Sequence, residues 1–258
     1  MTIAEAFQLP HTKSCLISFV GAGGKTTCMF TLAEELIQLG TKVLVTTTTK
    51  IWYPEASQYD RLIIQSRSEG FWEQLNAAEP GTIIVVAQDV LWRVEKLKGF
   101  SPEFLDTVRH AGLVDYILVE ADGSSNKPVK APAEHEPVVP ASTDLVVGLT
   151  GFDCYGKPID GNTVFRLNEF CRVSGKSAGQ NIDATTLLSL IRSPYGLFKA
   201  VPAKAKKIWM FNQVDTCDML KIAEDVSQYI FSQSPVLNAI ILSALNHEQP
   251  IKKVMSRR

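Results

Sequence analysis

The chain has 258 residues, 45% of them apolar, with 26 Lys and Arg against 27 Asp and Glu. That balance, with 16 glycines and 13 prolines scattered along it, suits a globule with a sizeable core and excludes disordered, collagen-like and coiled-coil chains. A net charge of −1 lacks the basic excess of nucleic-acid binders, so neither nucleic acid nor an anionic membrane is an expected partner.

Met1–His11 contains Glu5 and Pro10 and lacks a basic start, so no signal peptide is expected there. The cysteines (Cys15, Cys28, Cys154, Cys171, Cys217) are odd in number and form no CxxC pair. They argue against a disulfide framework or zinc knuckle, read as small buried hydrophobes, and fit a cytoplasmic location.

The first predicted strand, Cys15–Val20, runs into Gly21-Ala22-Gly23-Gly24-Lys25-Thr26-Thr27 and then a helix over Thr26–Leu39. Met29, Leu32, Ala33, Leu36 and Ile37 fall at helical spacing, and Gly40 ends the pattern. Strand, glycine-rich turn and helix is the setting of a phosphate loop. Glycines turn tightly and aim amide N–H groups inward, and the helix N-terminus adds positive potential. Gly21 to Thr27 are therefore the expected nucleotide-binding segment. Lys25 is assigned to the phosphates and the Thr26 hydroxyl to Mg²⁺. The strict GxxxxGK[ST] pattern wants glycine where this chain has Phe19.

The next strand, Lys42–Thr46, ends in Thr46-Thr47-Thr48-Thr49-Lys50, where Thr48 and Lys50 are candidate substrate contacts. A helix over Glu69–Asn76 and a strand over Thr82–Ala87 follow. The strand Tyr116–Val119 leads to Glu120-Ala121-Asp122-Gly123. A carboxylate at the end of a strand beside a phosphate loop completes a metal shell, so Glu120 and Asp122 are expected as metal and catalytic groups with Lys25. The proline-rich loop Lys127–Pro140 then supplies Lys130, Glu134 and His135 as substrate candidates, with Glu136 beside them. Adjacent residues seldom point at one ion, so a Glu-His-Glu metal site is not expected.

After the strand Asp144–Leu149 comes Gly151-Phe152-Asp153, with Asp153 a substrate candidate and Arg166 a further candidate for the pocket wall. Cys154 is the cysteine nearest this site and the one considered for a thiolate role. Residues 151–207 interrupt the alternation and read as a small helical insert, with Asp183 capping a helix over Ala184–Ile191. The strand Ile208–Asn212 ends in Asn212-Gln213-Val214-Asp215. Guanine-specific NTPases use Asn-Lys-x-Asp here, the aspartate accepting two hydrogen bonds from the guanine edge. Gln213 replaces the lysine, so ATP and GTP both stay open. The strand Ala239–Leu242 leads to Ser243-Ala244, which resembles a turn offering a backbone N–H to a base. Val226–Asn246 reads as a loop feeding this strand, and Lys252, Lys253, Arg257 and Arg258 as a solvated end.

Near-continuous apolar strands alternating with helices predict a doubly wound α/β fold with a mainly parallel sheet and helices on both faces. The expectation is one P-loop NTPase-like domain over 1–258. Its cofactors are Mg²⁺ and ATP or GTP.

Several segments together resemble one family: Val20–Thr27, Val45–Ile51, Leu118–Ser124, Lys130–Pro137, Gly151–Asp153, and Gly196–Lys199 with Val201-Pro202. It is the selenium-dependent hydroxylase accessory protein family, also called YqeC, and the likeness runs over nearly the whole chain. The loop Ala131-Pro132-Ala133-Glu134-His135-Glu136-Pro137 makes it specific. The resemblance implies nucleotide roles for Gly21 to Thr27, Glu120 and Asp122, and points to His135. It also implies help in maturing selenium-dependent molybdenum hydroxylases, by making or inserting a selenium cofactor, with such a hydroxylase as partner. The resulting reading is a nucleoside-triphosphate hydrolase in that maturation. The rivals are a small-molecule kinase in cofactor synthesis and a non-catalytic, nucleotide-gated delivery protein.

Overall fold

A computed structural model describes residues 1–9 and 14–257. Pro10 and His11 of the expected leaderless start, and Arg258 of the basic end, lie outside the described residues. The chain opens with α1 (Ile3–Phe7), β1 (Cys15–Gly21), α2 (Lys25–Ile37), β2 (Val43–Thr47), β3 (Lys50–Trp52) and β4 (Arg61–Ile64). It continues through α3 (Phe71–Asn76), β5 (Ile83–Ala87), β6 (Asp89–Leu91), β7 (Lys96–Lys98), α4 (Pro102–Ala111) and β8 (Tyr116–Glu120). Then come β9 (Val129–Lys130), β10 (Leu145–Gly151), β11 (Val164–Phe165), α5 (Leu167–Ser174) and α6 (Ala184–Arg192). The last elements are β12 (Lys206–Asn212), α7 (Cys217–Gln233), β13 (Ala239–Ser243) and β14 (Ile251–Ser256).

Nine strands form the central sheet in the order β14-β13-β12-β10-β1-β8-β2-β5-β4. Every neighbouring pair is parallel except β13 with β14. The expectation of a mainly parallel α/β sheet therefore holds. β1 is buried along its whole length, and its side chains alternate between faces. Ile17 and Phe19 join Val45 and Leu118 under α1 and α2. Leu16 turns to the other face, where Leu44, Ile84 and Ile117 pack under α3 and α4. Farther along that second face, Val146, Trp209, Phe211 and Ile240 lie under α5, α6 and α7. Each such fully buried side chain contributes roughly 1.5–3 kcal/mol, which is why runs such as Ile83–Val86 must be covered on both sides.

All seven predicted strands form, within two residues of the expected ends. α3 starts at Phe71 and not Glu69, because Gly70 at φ 69° is left-handed and breaks the helix there. Two expectations are corrected. Val226–Gln233, the first part of Val226–Asn246, is helix: α7 runs to Gln233, buries Val226 and Ile230 against the sheet, and only then loops to β13. The basic end is not a free tail. Lys252 and Lys253 belong to β14, the antiparallel edge of the sheet. Residues 152–205 leave the sheet between adjacent β10 and β12 and carry α5 and α6, with the Asp183 carboxylate capping α6 at Thr186 N.

Cys15, Cys28 and Cys154 are buried, Cys171 is half-buried and Cys217 exposed, all free. Among the described residues no helix is long and apolar enough to cross a membrane.

Candidate functional site

Parallel strands deliver their C-terminal ends to one edge, and a crevice opens there between adjacent strands whose connections leave to opposite faces of the sheet. β1, β8, β10, β2 and β12 bring Gly21, Glu120, Gly151, Thr47 and Asn212 to that edge. Phe19 is buried in β1 opposite Glu120 and belongs to the core. The turn that follows is therefore only Gly21–Gly24.

Glycine is required in this turn by space as well as by backbone. At Gly23 (φ 79°) an added Cβ would lie 2.1 Å from Gly151 N, and at Gly24 (φ 116°) 2.6 Å from Asn212 Nδ2. The Gly21 N–H donates to both Asp122 oxygens at 3.1 and 3.0 Å, and the Ala22 N–H to Leu149 O at 3.0 Å. Among the described residues the N–H groups of Gly23, Gly24, Lys25 and Thr26 have no acceptor. They open onto a cavity of about 390 Å³ bordered by Thr27, Lys127, Asp153 and Gln213. Asp153 Oδ1 and Gln213 Oε1 are buried beside it without partners among the described residues.

Glu120 and Asp122 do different things. β8 ends at Glu120, so strand alternation does not reach Asp122. Glu120 accepts the Thr26 hydroxyl at 2.6 Å and lies 3.8 Å from the Lys25 ammonium. Burial raises its carboxyl above the ordinary range, and Lys25 and Thr26 offset this only in part. Asp122, besides holding Gly21 N–H, lies 3.3 Å from Lys25 and 3.0 Å from Lys130. Its oxygens are thus saturated by the loop and two lysines, and Glu120 is the carboxylate that faces Thr26. Lys25 itself is 3% exposed and donates to Gly21 O at 2.7 Å.

Behind this pair runs a chain of buried ions. Lys130 donates to Glu136 and to Gly123 O, both at 2.6 Å. Arg166 clasps Glu136 with Nε at 3.1 Å and Nη2 at 2.9 Å. Burial alone would raise the Glu136 carboxyl, but Lys130 and Arg166 outweigh it and hold it below the ordinary value. Lys130 is therefore an internal bridge, where the sequence pointed to a substrate contact. Glu134 and His135 are exposed, and only Glu136 of that trio turns inward.

The threonine run ties strands together. Thr47 Oγ1 donates to Glu120 O at 2.7 Å and Thr48 Oγ1 to Val138 O at 2.7 Å, so Thr48 braces the loop after β8. Lys50 is exposed at the mouth of a second cavity beside the first. Cys154 is fully buried, and burial, with Asp153 adding, pushes its thiol up, so it is no thiolate.

Asn212 is a strut. Its Nδ2 donates to Gly23 O at 2.9 Å, and its Oδ1 accepts from Leu245 N at 3.0 Å. Ser243 is buried and bonds to Phe211 O, and the Ala244 N–H is taken by Pro250 O at 2.8 Å. Asp215 is half exposed, with His247 Nε2 at 3.4 Å. Of the four base-site candidates, Asp215 is the one whose side chain reaches solvent.

Trp52, Lys96 and the Ser124–Asn126 turn also border these cavities and were not singled out in the sequence. Asn126 carried one signal, since asparagine tolerates left-handed backbone and sits here at φ 56°.

The family model described as YqeC protein matches residues 17–168. A protein of Escherichia coli (strain K12), described as "Uncharacterized protein YqeC", is 34% identical over 205 residues, covering 79% of this chain and 77% of that one. The matched span includes the Gly21–Thr27 turn, the Glu120–Asp122 pair and the Lys130–Glu136–Arg166 bridge. By both measures the chain belongs to the YqeC protein family.

Proposed function

We propose that this is a P-loop NTPase-like protein that binds a Mg²⁺–nucleoside triphosphate at Gly21–Thr27 and hydrolyses it. The observation that carries the reading is the set of unpartnered amides from Gly23 to Thr26 at the start of a 13-residue helix, with the Lys25 ammonium beside them. Amides and a helix N-terminus favour an anion, and Lys25 adds the full charge that a polyphosphate needs. The triphosphate would draw Lys25 from its present carbonyl partner.

The donor set fits magnesium. Thr26 and Glu120 offer hard oxygen ligands 2.6 Å apart, and Mg²⁺ takes few protein ligands, leaving the rest to water and phosphate. Among the described residues no group of three or more His, Cys, Asp or Glu could hold a metal by itself, which agrees with a metal that arrives with its nucleotide. Bound there, it neutralises phosphate charge. Asp122 positions the loop through Gly21, and Asp215 reads the base. The family resemblance extends the proposal to an accessory role in maturing selenium-dependent molybdenum hydroxylases.

The test is a titration with Mg–ATP and Mg–GTP on wild type, Lys25→Ala and Asp215→Asn. Lys25→Ala should weaken binding at least tenfold, and unchanged binding would overturn the reading. If Asp215 reads guanine, Asp215→Asn shifts preference toward xanthine nucleotide. A wild type that prefers ATP, with the variant unchanged, removes Asp215 from the base site.

A further inference from the structure

The second cavity, of about 370 Å³, shares Thr26, Trp52, Ser124 and Asn126 with the first and reaches Glu120. One wall is the small antiparallel sheet β3-β7-β6. Ile51 and Leu97 point into the core, so Lys50, Trp52, Lys96 and Lys98 share the opposite face. The register sets Lys50 directly across from Lys98, and Trp52 across from Lys96. Like charges opposite each other on neighbouring strands destabilise a sheet. Among the described residues neither Lys50 nor Lys96 forms an ion pair; the Lys96 ammonium lies 4.3 Å over the Trp52 ring.

Arg166 borders the same cavity. Its Nε and Nη2 are fixed on Glu136, which leaves Nη1 without a partner among the described residues. It is held at φ 64°, and Ser125 and Asn126 at 48° and 56°, so left-handed backbone shapes this wall of the cavity. Both carboxylates that reach the cavity are already engaged. Glu120 has Thr26 and Lys25, and Glu136 has Lys130 and Arg166. The charge left facing the cavity is positive.

We propose that this cavity is a binding site for a second, anionic small molecule carrying a carboxylate or phosphate group. Its role as a co-substrate rests on the nucleotide reading: Thr26 and Glu120 then bring the anion beside the phosphate chain, the proximity that a two-substrate reaction needs. Its existence as an anion site does not rest on that reading.

Calorimetric titration of the full chain with inorganic phosphate and with citrate tests it. The proteins are wild type and Lys50→Ala/Lys96→Ala, each alone and saturated with Mg²⁺ and a non-hydrolysable triphosphate. Wild type saturated with nucleotide should still bind one anion, and phosphate or citrate alone then names the class. The double lysine variant should bind that anion at least tenfold more weakly, with nucleotide affinity within threefold of wild type. Lys50→Arg/Lys96→Arg should restore binding. Without nucleotide, wild type should bind an anion that the double lysine variant loses, so a wild type that ignores nucleotide would sink the phosphate-loop reading alone. Wild type binding neither anion, equal binding by the double variant, or an equal loss of nucleotide and anion would each overturn the second site.

Discussion

Lys130→Met probes the buried ion chain most directly. The Lys130 side chain is fully buried and gives up three contacts: Asp122 at 3.0 Å, and Glu136 and Gly123 O at 2.6 Å. Charge-assisted bonds contribute about 1.5–3 kcal/mol each, so the gross loss is about 5–9 kcal/mol. Removing the ammonium also relieves its own desolvation, a penalty of several kcal/mol. Two carboxylates stay behind, but neither is abandoned. Glu136 keeps Arg166, and Asp122 keeps the Gly21 N–H and Lys25. The net cost should therefore sit at the low end for a broken buried pair, about 3 kcal/mol. In urea unfolding the midpoint should fall by about 1 M or more, given slopes of about 1–3 kcal/mol per molar. Glu136→Gln added to Lys130→Met weakens a contact that the first substitution has already broken, so the pair should be less destabilised than the sum of the singles by at least about 1 kcal/mol. A single-variant loss under about 1 kcal/mol, or strict additivity, would refute the bridge.

Gly23→Ala forces a Cβ against Gly151 N and into φ 79°, so it should cost at least about 1–3 kcal/mol and abolish nucleotide binding; an alanine variant that binds and unfolds like wild type refutes the fit. Because burial raises Glu120, Mg–nucleotide affinity should be full above that raised value and be lost as pH falls through it, at higher pH than an ordinary glutamate near 4.3 allows. Glu120→Gln should bind weakly and lack this part of the pH slope, and matching wild-type and variant profiles would exclude Glu120 from the metal. For stability the sign runs the other way: a folded value above the unfolded one means Glu120's share is largest at low pH and declines as pH rises through the folded value.

The parts legible in the sequence are those whose cause is local. Ile83–Val86 and Ala239–Leu242 announce strands because a strand covered on both faces has nowhere to put a polar residue. The Gly21–Thr27 turn is equally plain, since Gly21, Gly23 and Gly24 take left-handed backbone at the exit of a strand, a local demand that glycine meets. β3, β7, β9 and β11 are two or three residues long, too short for any period to show. α4 had a readable start, Ser101 capping Phe104 N with Pro102 at the first helical position, but it is 10 residues long and buries only Leu105 and Val108, too few apolar positions for a period to stand out. Lys130 and Arg166 could not be assigned locally. Their joint role exists because β9 pairs with β11 and sets Arg166, 30 residues from Glu136, on the carboxylate that Lys130 also holds.

β14 has a consequence for solubility. The strand it covers, β13, reads Ala-Ile-Ile-Leu-Ser and is buried throughout. Left as the sheet's margin, that segment would present an apolar ladder of free N–H and C=O groups, the template on which strands of separate molecules add to one another. β14 takes those bonds in the antiparallel sense and places Lys252 and Lys253 in the new edge strand, where Lys253 also pairs with Glu224 of α7 at 2.7 Å. The positive charges that looked like a loose end thus act as gatekeepers, keeping one copy of the sheet from growing onto the next.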